Sequence, residues 1–597
     1  MLNHQIPLFI LSFIVAAQSL QSQEVPSPHP LPLEQAPTPV SATTPQAPFI
    51  QAPSLERGTT TIPAAANQVH GLEQSAPIEA PNTQKTVPQG PSLEQRSAKG
   101  PAETQQTLPH SFPGYEGDED LRRGGMSFYG ENVPQDYGEA AKWYQKAADK
   151  GNPEAKTLLG NMYILGEGVE KNYNTASQLF TEAADQGYSL AQNNLGTMHE
   201  NGWGVKKDLG LALEFYQKAA SQGNPFAQAN LGRLYENGIG VPQNLEEAIR
   251  WYQLAADQKN PLGLNALGRL HVEEFELRDY SKALTYFKNA ADQQYTFAQN
   301  NLGVMHENGW GTPVDIQAAL TWYKKAAEKD NPYAQSNLGR LYENGKGVQK
   351  DYAEALKWYQ KALDQGLDTA QNNLGRMYQY GWGVPQDFQK AIQYYQMSAA
   401  QGNSFAETNI GVLYENGIGV KKDLNQAFLW YQKAAQHGSA EGQYNLALMY
   451  EKGKGTKLDL NQAAKLYALA ANQGLNLAQN NLGILYLTGN GVEKNLSKAI
   501  ELFTLAAEDG NPVAESNLGR LYETGAGTTQ DYAKALFWYQ KSAEQNDPLG
   551  LYYLGRLYTE GLGTPKKTEE GLDLFRRAAR LGNPQAQKEL EKRKVTW

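Results

Sequence analysis

From about Gly114 onward, apolar residues recur at helical spacing, and the pattern itself recurs. The stretch around Gly232 shows the unit. Asn224-Pro225 opens a first helix, with Asn as N-cap and Pro at the first helical position. Ala227, Leu231, Leu234 and Tyr235 follow at i, i+4, i+7 and i+8, one helical face. Gly238-Ile239-Gly240-Val241 ends that helix, because glycine takes positive φ without penalty. Asn244 opens a second helix, where Ala248, Trp251, Tyr252, Ala255 and Ala256 again share a face.

The unit repeats in register. A Leu-Gly step falls at Gly160, Gly196, Gly232, Gly268, Gly303, Gly339, Gly375, Gly411, Ala447 (the one Ala), Gly483, Gly519 and Gly555. Every interval is 36 residues except 35 between Gly268 and Gly303. This predicts twelve units, a divergent half-unit before them, and a charged tail, Gln585–Lys594, as a cap. The second helix opens on Asp or Asn in all twelve, from Asp136 to Asp531. Both residue types satisfy free N–H groups at a helix start. A glycine inside a helix costs about 1 kcal/mol relative to alanine. Close packing of a neighbouring helix is the offset this predicts, and Ala447, the smallest substitute, agrees with it.

The pattern AxxNLGRLYENGxGVxxDxxxAxxWYxKAA resembles the Sel1-like repeat, a relative of the tetratricopeptide repeat. The resemblance implies an all-α fold: an α/α solenoid, a right-handed superhelix of about 12–13 helix pairs over residues 114–597, with first helices on the concave side. Val272–Arg278 departs from the pattern, losing the GxGV loop and one residue, which reads as a kink or a local docking site. Longer blocks also return: AQNNLGTMHENGWG at Ala191 reappears as AQNNLGVMHENGWG at Ala298. Growth by copying suits an extended interaction surface better than a single catalytic pocket.

The amino-terminal part differs in kind. Met1–Gln23 holds the apolar run Ile6–Ala17, too short to span a bilayer and of signal-peptide length. Residues 1–23 therefore read as an export signal. Residues 24–113 hold 17 of the 30 prolines and lack hydrophobic periodicity, which predicts a disordered, proline-rich linker. Within it Leu33-Glu34, Leu55-Glu56, Leu72-Glu73 and Leu93-Glu94 recur, either as docking motifs or as low-complexity duplication. No other stretch approaches transmembrane length. The protein is expected to be exported, periplasmic or secreted, and bacterial.

Composition narrows the chemistry. Net charge is −10, which argues against nucleic acid as a partner. With no cysteine there is no disulfide, Cys-ligated metal or thiol catalysis. HExxH, SxxK, GxSxG and GxxxxGK[ST] are all absent. His199, His271 and His306 stand where other units have Tyr, so they read as packing residues rather than metal ligands. Pairs such as Trp143-Tyr144, Trp358-Tyr359 and Trp538-Tyr539 read as core. No catalytic residue, metal site or cofactor is expected.

What remains is a polar stripe on the first helices. Two residues before the glycine stands Asn in nine units, among them Asn230, Asn337 and Asn373. One residue after it stands Arg in six: Arg233, Arg269, Arg340, Arg376, Arg520 and Arg556. The stripe reads either as a groove for an extended or acidic peptide, or as bonding between helices, with Arg paired to acids such as Glu236 or Glu343. Trp203, Trp310 and Trp382, each in Gly-Trp-Gly, read as lids on a neighbouring unit or as exposed anchors. The expected function is an exported, non-catalytic scaffold that binds protein through its concave face, the partners being envelope or host proteins. The alternatives are a carbohydrate or cell-wall binder, and an enzyme acting on β-lactams. The family resemblance implies paired cysteines for that last activity, and this chain has none.

Overall fold

The computed structural model describes residues 117–274 and 277–597. They fall into two compact units, 117–370 and 371–597, divided within the helix Asp368–Tyr380. The predicted export signal and proline-rich linker lie outside the described residues. Among the described residues there are 27 helices and no strands. They form thirteen consecutive pairs, from Asp118–Tyr129 with Tyr137–Asp149 to Pro548–Glu560 with Thr568–Arg580, followed by Pro584–Lys592. Within each unit the pairs stack one on the next, which is an α/α solenoid. The divergent start is therefore a whole pair rather than a half. Its key glycine, Gly124, stands 36 residues before Gly160 but follows Arg123 instead of Leu. The carboxy-terminal helix caps the stack, burying Ala586 and Leu590 beside Leu572 and Phe575.

Local rules set the ends of the helices. All twelve Asp or Asn residues at second-helix starts accept a backbone N–H two or three residues on, as Asp351 does from Glu354 at 3.0 Å. In the thirteenth pair Lys567 takes this place without a side-chain cap. The two glycines of the connecting loop do different work. Gly202 ends its helix at φ +75°, in the left-handed region. A Cβ on Gly204 would sit 2.3 Å from the carbonyl oxygen of Tyr173, at the start of the preceding repeat's second helix. The second glycine thus lets one repeat's loop lie against its neighbour's backbone.

The glycine inside the first helix is explained by a ring. A Cβ on Gly339 would lie 2.6 Å from the Tyr359 ring, and the same holds from Gly124 over Tyr144 to Gly519 over Tyr539, at 2.4–2.8 Å. In the last pair Gly555 leaves 3.0 Å to Phe575. These rings are the largest fully buried side chains, with alanines around them. One helix thus surrenders its side chain so that a ring from its partner can lie flat against the backbone. The pairing of Trp and Tyr as core holds only for Tyr. Tyr144, Tyr359 and Tyr539 are buried, whereas Trp143, Trp358 and Trp538 are half-buried under Lys146, Lys361 and Lys541, 3.9, 4.5 and 5.4 Å from the ring centres.

The irregular repeat solves its missing loop differently. Helix Pro261–Glu273 ends without a left-handed glycine. The Arg278 guanidinium instead donates to the carbonyls of Val272 and Glu273 at 3.2 and 3.3 Å, supplying donors that the helix end lacks. His271 Nδ1 lies 2.7 Å from the Leu277 carbonyl.

Gly124 and Gly125 provide an internal control. A Cβ at 124 meets the Tyr144 ring at 2.4 Å, whereas one at 125 meets nothing nearer than 4.0 Å. Gly124→Ala is expected to destabilise by about 1–3 kcal/mol through overpacking. Gly125→Ala is expected to stabilise by up to about 1 kcal/mol through helix propensity. Urea unfolding followed by circular dichroism measures both. Two variants of equal stability would contradict the ring-under-glycine account.

Candidate functional site

The stripe on the first helices is built outward from the buried ring. In nine repeats that ring is Tyr, and in eight of them its hydroxyl donates to a side chain four residues after the glycine or, in one, after Ala447. The acceptors are Glu200, Glu236, Glu307, Glu343, Gln379, Glu415, Glu451 and Glu523. Where the ring is Phe180, Phe287, Phe503 or Phe575, the same place holds Ile164, Val272, Leu487 or Thr559. A buried hydroxyl without an acceptor costs about 1–3 kcal/mol, so ring and acceptor change together. Tyr144, opposite Phe128, is the exception. This coupling was legible as Tyr and Glu sixteen residues apart, and the reading by apolar periodicity passes over it because the Glu is polar.

The carboxylates also bind the next repeat. Arg233 donates to both oxygens of Glu200 at 2.8 and 2.7 Å, and Arg340 to both of Glu307 at 2.9 and 2.6 Å. Arg269 pairs with Glu236 and with Glu273, the latter at 2.6 Å, and Arg556 pairs with Glu523. Burial alone would raise the Glu200 and Glu307 carboxyls. The charge and hydrogen bonds of Arg233 and Arg340, helped by the Tyr216 and Tyr323 hydroxyls, outweigh it, so both lie below the ordinary carboxylate range. Glu273 goes the other way. Burial pushes it up to about 7, and an Arg269 already engaged by Glu236 does not offset this.

The asparagines close the remaining gap between first helices. Asn230 donates to Asn193, Asn301 to Asn265, and Asn337 to Asn300, each at 3.0 Å across neighbouring repeats. Asn409 with Asn372 and Asn517 with Asn480 do the same in 371–597.

The predicted site residues therefore divide. Asn230, Arg233, Arg269, Asn337 and Arg340 are buried between stacked first helices, with their polar groups engaged by adjacent repeats. At these positions the stripe is internal rather than the lining of an open groove. Asn373, Arg376, Arg520 and Arg556 are half-buried and reach the surface. Trp203 stacks on Tyr173, and Trp310 on Tyr280, rings of the preceding repeat 5.7 and 5.6 Å away, so both are lids. Trp382 stacks on Tyr380, the last residue of the helix before it, at 4.7 Å, with the Arg376 guanidinium 5.5 Å from its ring centre. Tyr380 is 53% exposed and escaped the sequence reading, because it replaces the usual Asn without breaking any period. His199 and His271 stack on Phe215 and Tyr286. Among the described residues no helix is long and apolar enough to cross a membrane.

The family model described as Sel1 repeat matches thirteen consecutive segments, from 121–152 to 548–583. A protective antigen of uropathogenic Escherichia coli with an SLR fold is 32% identical, the alignment covering 76% of this chain and 98% of that one, with a TM-score of 0.43. A Sel1 repeat protein from Oxalobacter formigenes is 28% identical over 58% of this chain and 89% of its own, with a TM-score of 0.37. The APC/C hetero-tetramer Cut9–Hcn1 is 15% identical over 81% and 96%, with a TM-score of 0.44. No curated protein sequence matches.

Two stability tests address the buried ladder. Arg340→Ala removes the bidentate partner of buried Glu307 and leaves it only Lys346 at 3.4 Å, and a loss of about 3 kcal/mol is expected. The loss should shrink as pH falls through the ordinary carboxylate range. A carboxyl depressed in the fold contributes stability above its unfolded pKa and loses it on protonation. The second test rebuilds the triad. Arg520 stands 33 residues after Leu487, as Arg233 does after Glu200. Phe503→Tyr alone should cost about 1–3 kcal/mol. Combined with Leu487→Glu it should recover at least about 1 kcal/mol in a double-mutant cycle. Simple additivity would refute the coupling.

Proposed function

Because the chain belongs to the Sel1-repeat family, we propose that it is an exported, non-catalytic scaffold that binds protein. The observation carrying this reading is a contrast among its own repeats. Residues that stack scarcely change: the glycine, the ring beneath it, the Asp or Asn cap. Residues facing outward change from copy to copy. Two places after the buried ring stand Lys146, Glu182, Leu254, Asn289 and Met397 in different repeats. The shared side chains are used in holding the repeats together, and the differences lie where another molecule would touch. Export rests on the signal-like Met1–Gln23.

The binding surface we favour is the accessible end of the stripe in 371–597: Asn373, Arg376, Tyr380 and Trp382, with Arg520 and Arg556 further along. Arg, Tyr and Trp dominate binding energy at protein interfaces, and half-buried guanidinium groups suit an acidic or extended segment. One observation favours a second reading. Tyr380, 53% exposed and stacked on the half-buried Trp382, offers an aromatic ring of the kind that carbohydrate binders use.

The test compares the full chain with Arg376→Ala/Tyr380→Ala/Trp382→Ala in capture from extracts of the source organism and in direct titration with cell-wall glycans. The variant should melt within a few degrees of the parent. A protein held by the parent and reduced at least tenfold by the variant supports the scaffold. Saturable glycan binding lost in the variant favours the second reading. Identical capture by both chains removes this surface.

A further inference from the structure

Asparagine is a thermolabile residue. It is most so before glycine, where no Cβ keeps the next amide nitrogen from the side-chain carbonyl. The chain has six such pairs: Asn201, Asn237, Asn308, Asn344, Asn416 and Asn490 are each followed by Gly. Five stand at the end of a first helix, five residues after its buried glycine. Asn490 does not. Its repeat has Thr488 in that place, and Asn490 falls two residues later, between the two loop glycines.

The fold protects the five and leaves the sixth open. Gly202, Gly238, Gly309, Gly345 and Gly417 each donate their N–H to a carbonyl one turn back, as Gly202 does to Met198 at 2.8 Å. The nitrogen that would react is thus held in a helix hydrogen bond. Four of the side chains are tied as well. Asn201, Asn237, Asn308 and Asn416 donate to the carbonyl four residues before them at 2.8–2.9 Å. In the sixth pair the last helix bonds are made by Gly489 and Asn490, whose N–H groups both reach the Leu485 carbonyl. Gly491 comes one residue too late for such a bond. Among the described residues no acceptor meets its N–H, and no partner holds the exposed Asn490 side chain.

We propose that Asn490 is a site of spontaneous deamidation, and that the reaction loosens the joint between repeats 440–475 and 476–511. The Gly491 nitrogen loses its proton to hydroxide and attacks Cγ of Asn490. The new C–N bond forms, the bond to Nδ2 breaks, and Nδ2 leaves as ammonia after taking a proton from water. Water then opens the cyclic succinimide at either carbonyl. One opening leaves aspartate. The other leaves isoaspartate, in which the main chain runs through Cβ and Cγ and gains a methylene. The loop has no room for it. Gly491 takes φ +71°, and a Cβ on it would sit 2.3 Å from the Leu460 carbonyl oxygen, at the start of the second helix Leu460–Asn472. Val492 packs against the cluster that holds Tyr467, Leu482 and Leu485. Lengthening the chain just before Gly491 displaces it from Leu460, or displaces Val492 from the cluster, and both contacts join one repeat to the next.

The full chain is aged at mildly alkaline pH, and the six pairs are followed by peptide mapping with electron-transfer fragmentation, which separates aspartate from isoaspartate. Asn490 should convert at least tenfold faster than any of the other five. In urea the six rates should converge, because the protection of the five is lost. Equal rates in the folded chain, or a lead of Asn490 that persists in urea, overturn the site. Once Asn490 has converted, hydrogen exchange should quicken at the amides of Gln462, Ala463 and Asn495, which are hydrogen-bonded on the two sides of this joint. Asn490→Gln aged in parallel should keep its original exchange. An equal change in freshly prepared Asn490→Asp, which brings the charge without the methylene, or no change in the fully converted chain, overturns the loosening.

Discussion

The contact on which the structure depends is an aromatic ring lying on helix backbone. Each first helix but one gives up its side chain at one place (Ala447 keeps a methyl), and each second helix fills the gap with Tyr or Phe. Glycine is a poor helix former, so the arrangement is stable only because burial of a ring contributes more than the roughly 1 kcal/mol the glycine costs. The contact also sets the distance between the two helices. With that distance small, alanine becomes the natural neighbour, and the interior fills with Ala around one ring per repeat.

The ring's hydroxyl then organises the contact between repeats. A buried Tyr needs an acceptor, and Glu on the first helix supplies one. Arg from the next first helix supplies a cation to buried Glu200 and Glu307, whereas the repeat after Glu451 has Ile484 in that place. Each requirement creates the next, so one polar atom placed in the core propagates into a ladder linking repeats. Repeats with Phe have an apolar residue or Thr in the Glu position, the same logic with the hydroxyl removed. Glu273 shows the limit. A second carboxylate on an Arg that already has one is held near neutral pKa.

A stack that uses its shared side chains internally leaves function to its variable ones. Tyr380, in the place of the usual Asn at one first-helix end, and the row of exposed apolar side chains on second helices from Met397 to Phe537 are departures from the repeat rather than expressions of it. The repeat pattern therefore reveals the architecture, and the exceptions to it mark the surfaces where partners are to be sought.

What the sequence determined by itself was everything local. Helix pairs, their caps at Asp or Asn, their glycine stops and the 36-residue register all follow from neighbours within a few positions along the chain. The first pair was obscured only because Arg123 replaces Leu before Gly124. The Asn/Arg stripe was legible as a stripe, but whether it faced solvent was not. That depends on first helices about 33–37 residues away in sequence closing over it, as Glu200 does over Arg233 and Asn193 over Asn230. Likewise, a Trp in a glycine loop looks the same in three repeats. Stacking on Tyr173 and Tyr280 makes two of them lids, and the third stacks on Tyr380, a ring in the place where the other two repeats have Asn201 and Asn308. Helical period places a side chain on a face; only the packed neighbour decides whether that face remains a surface.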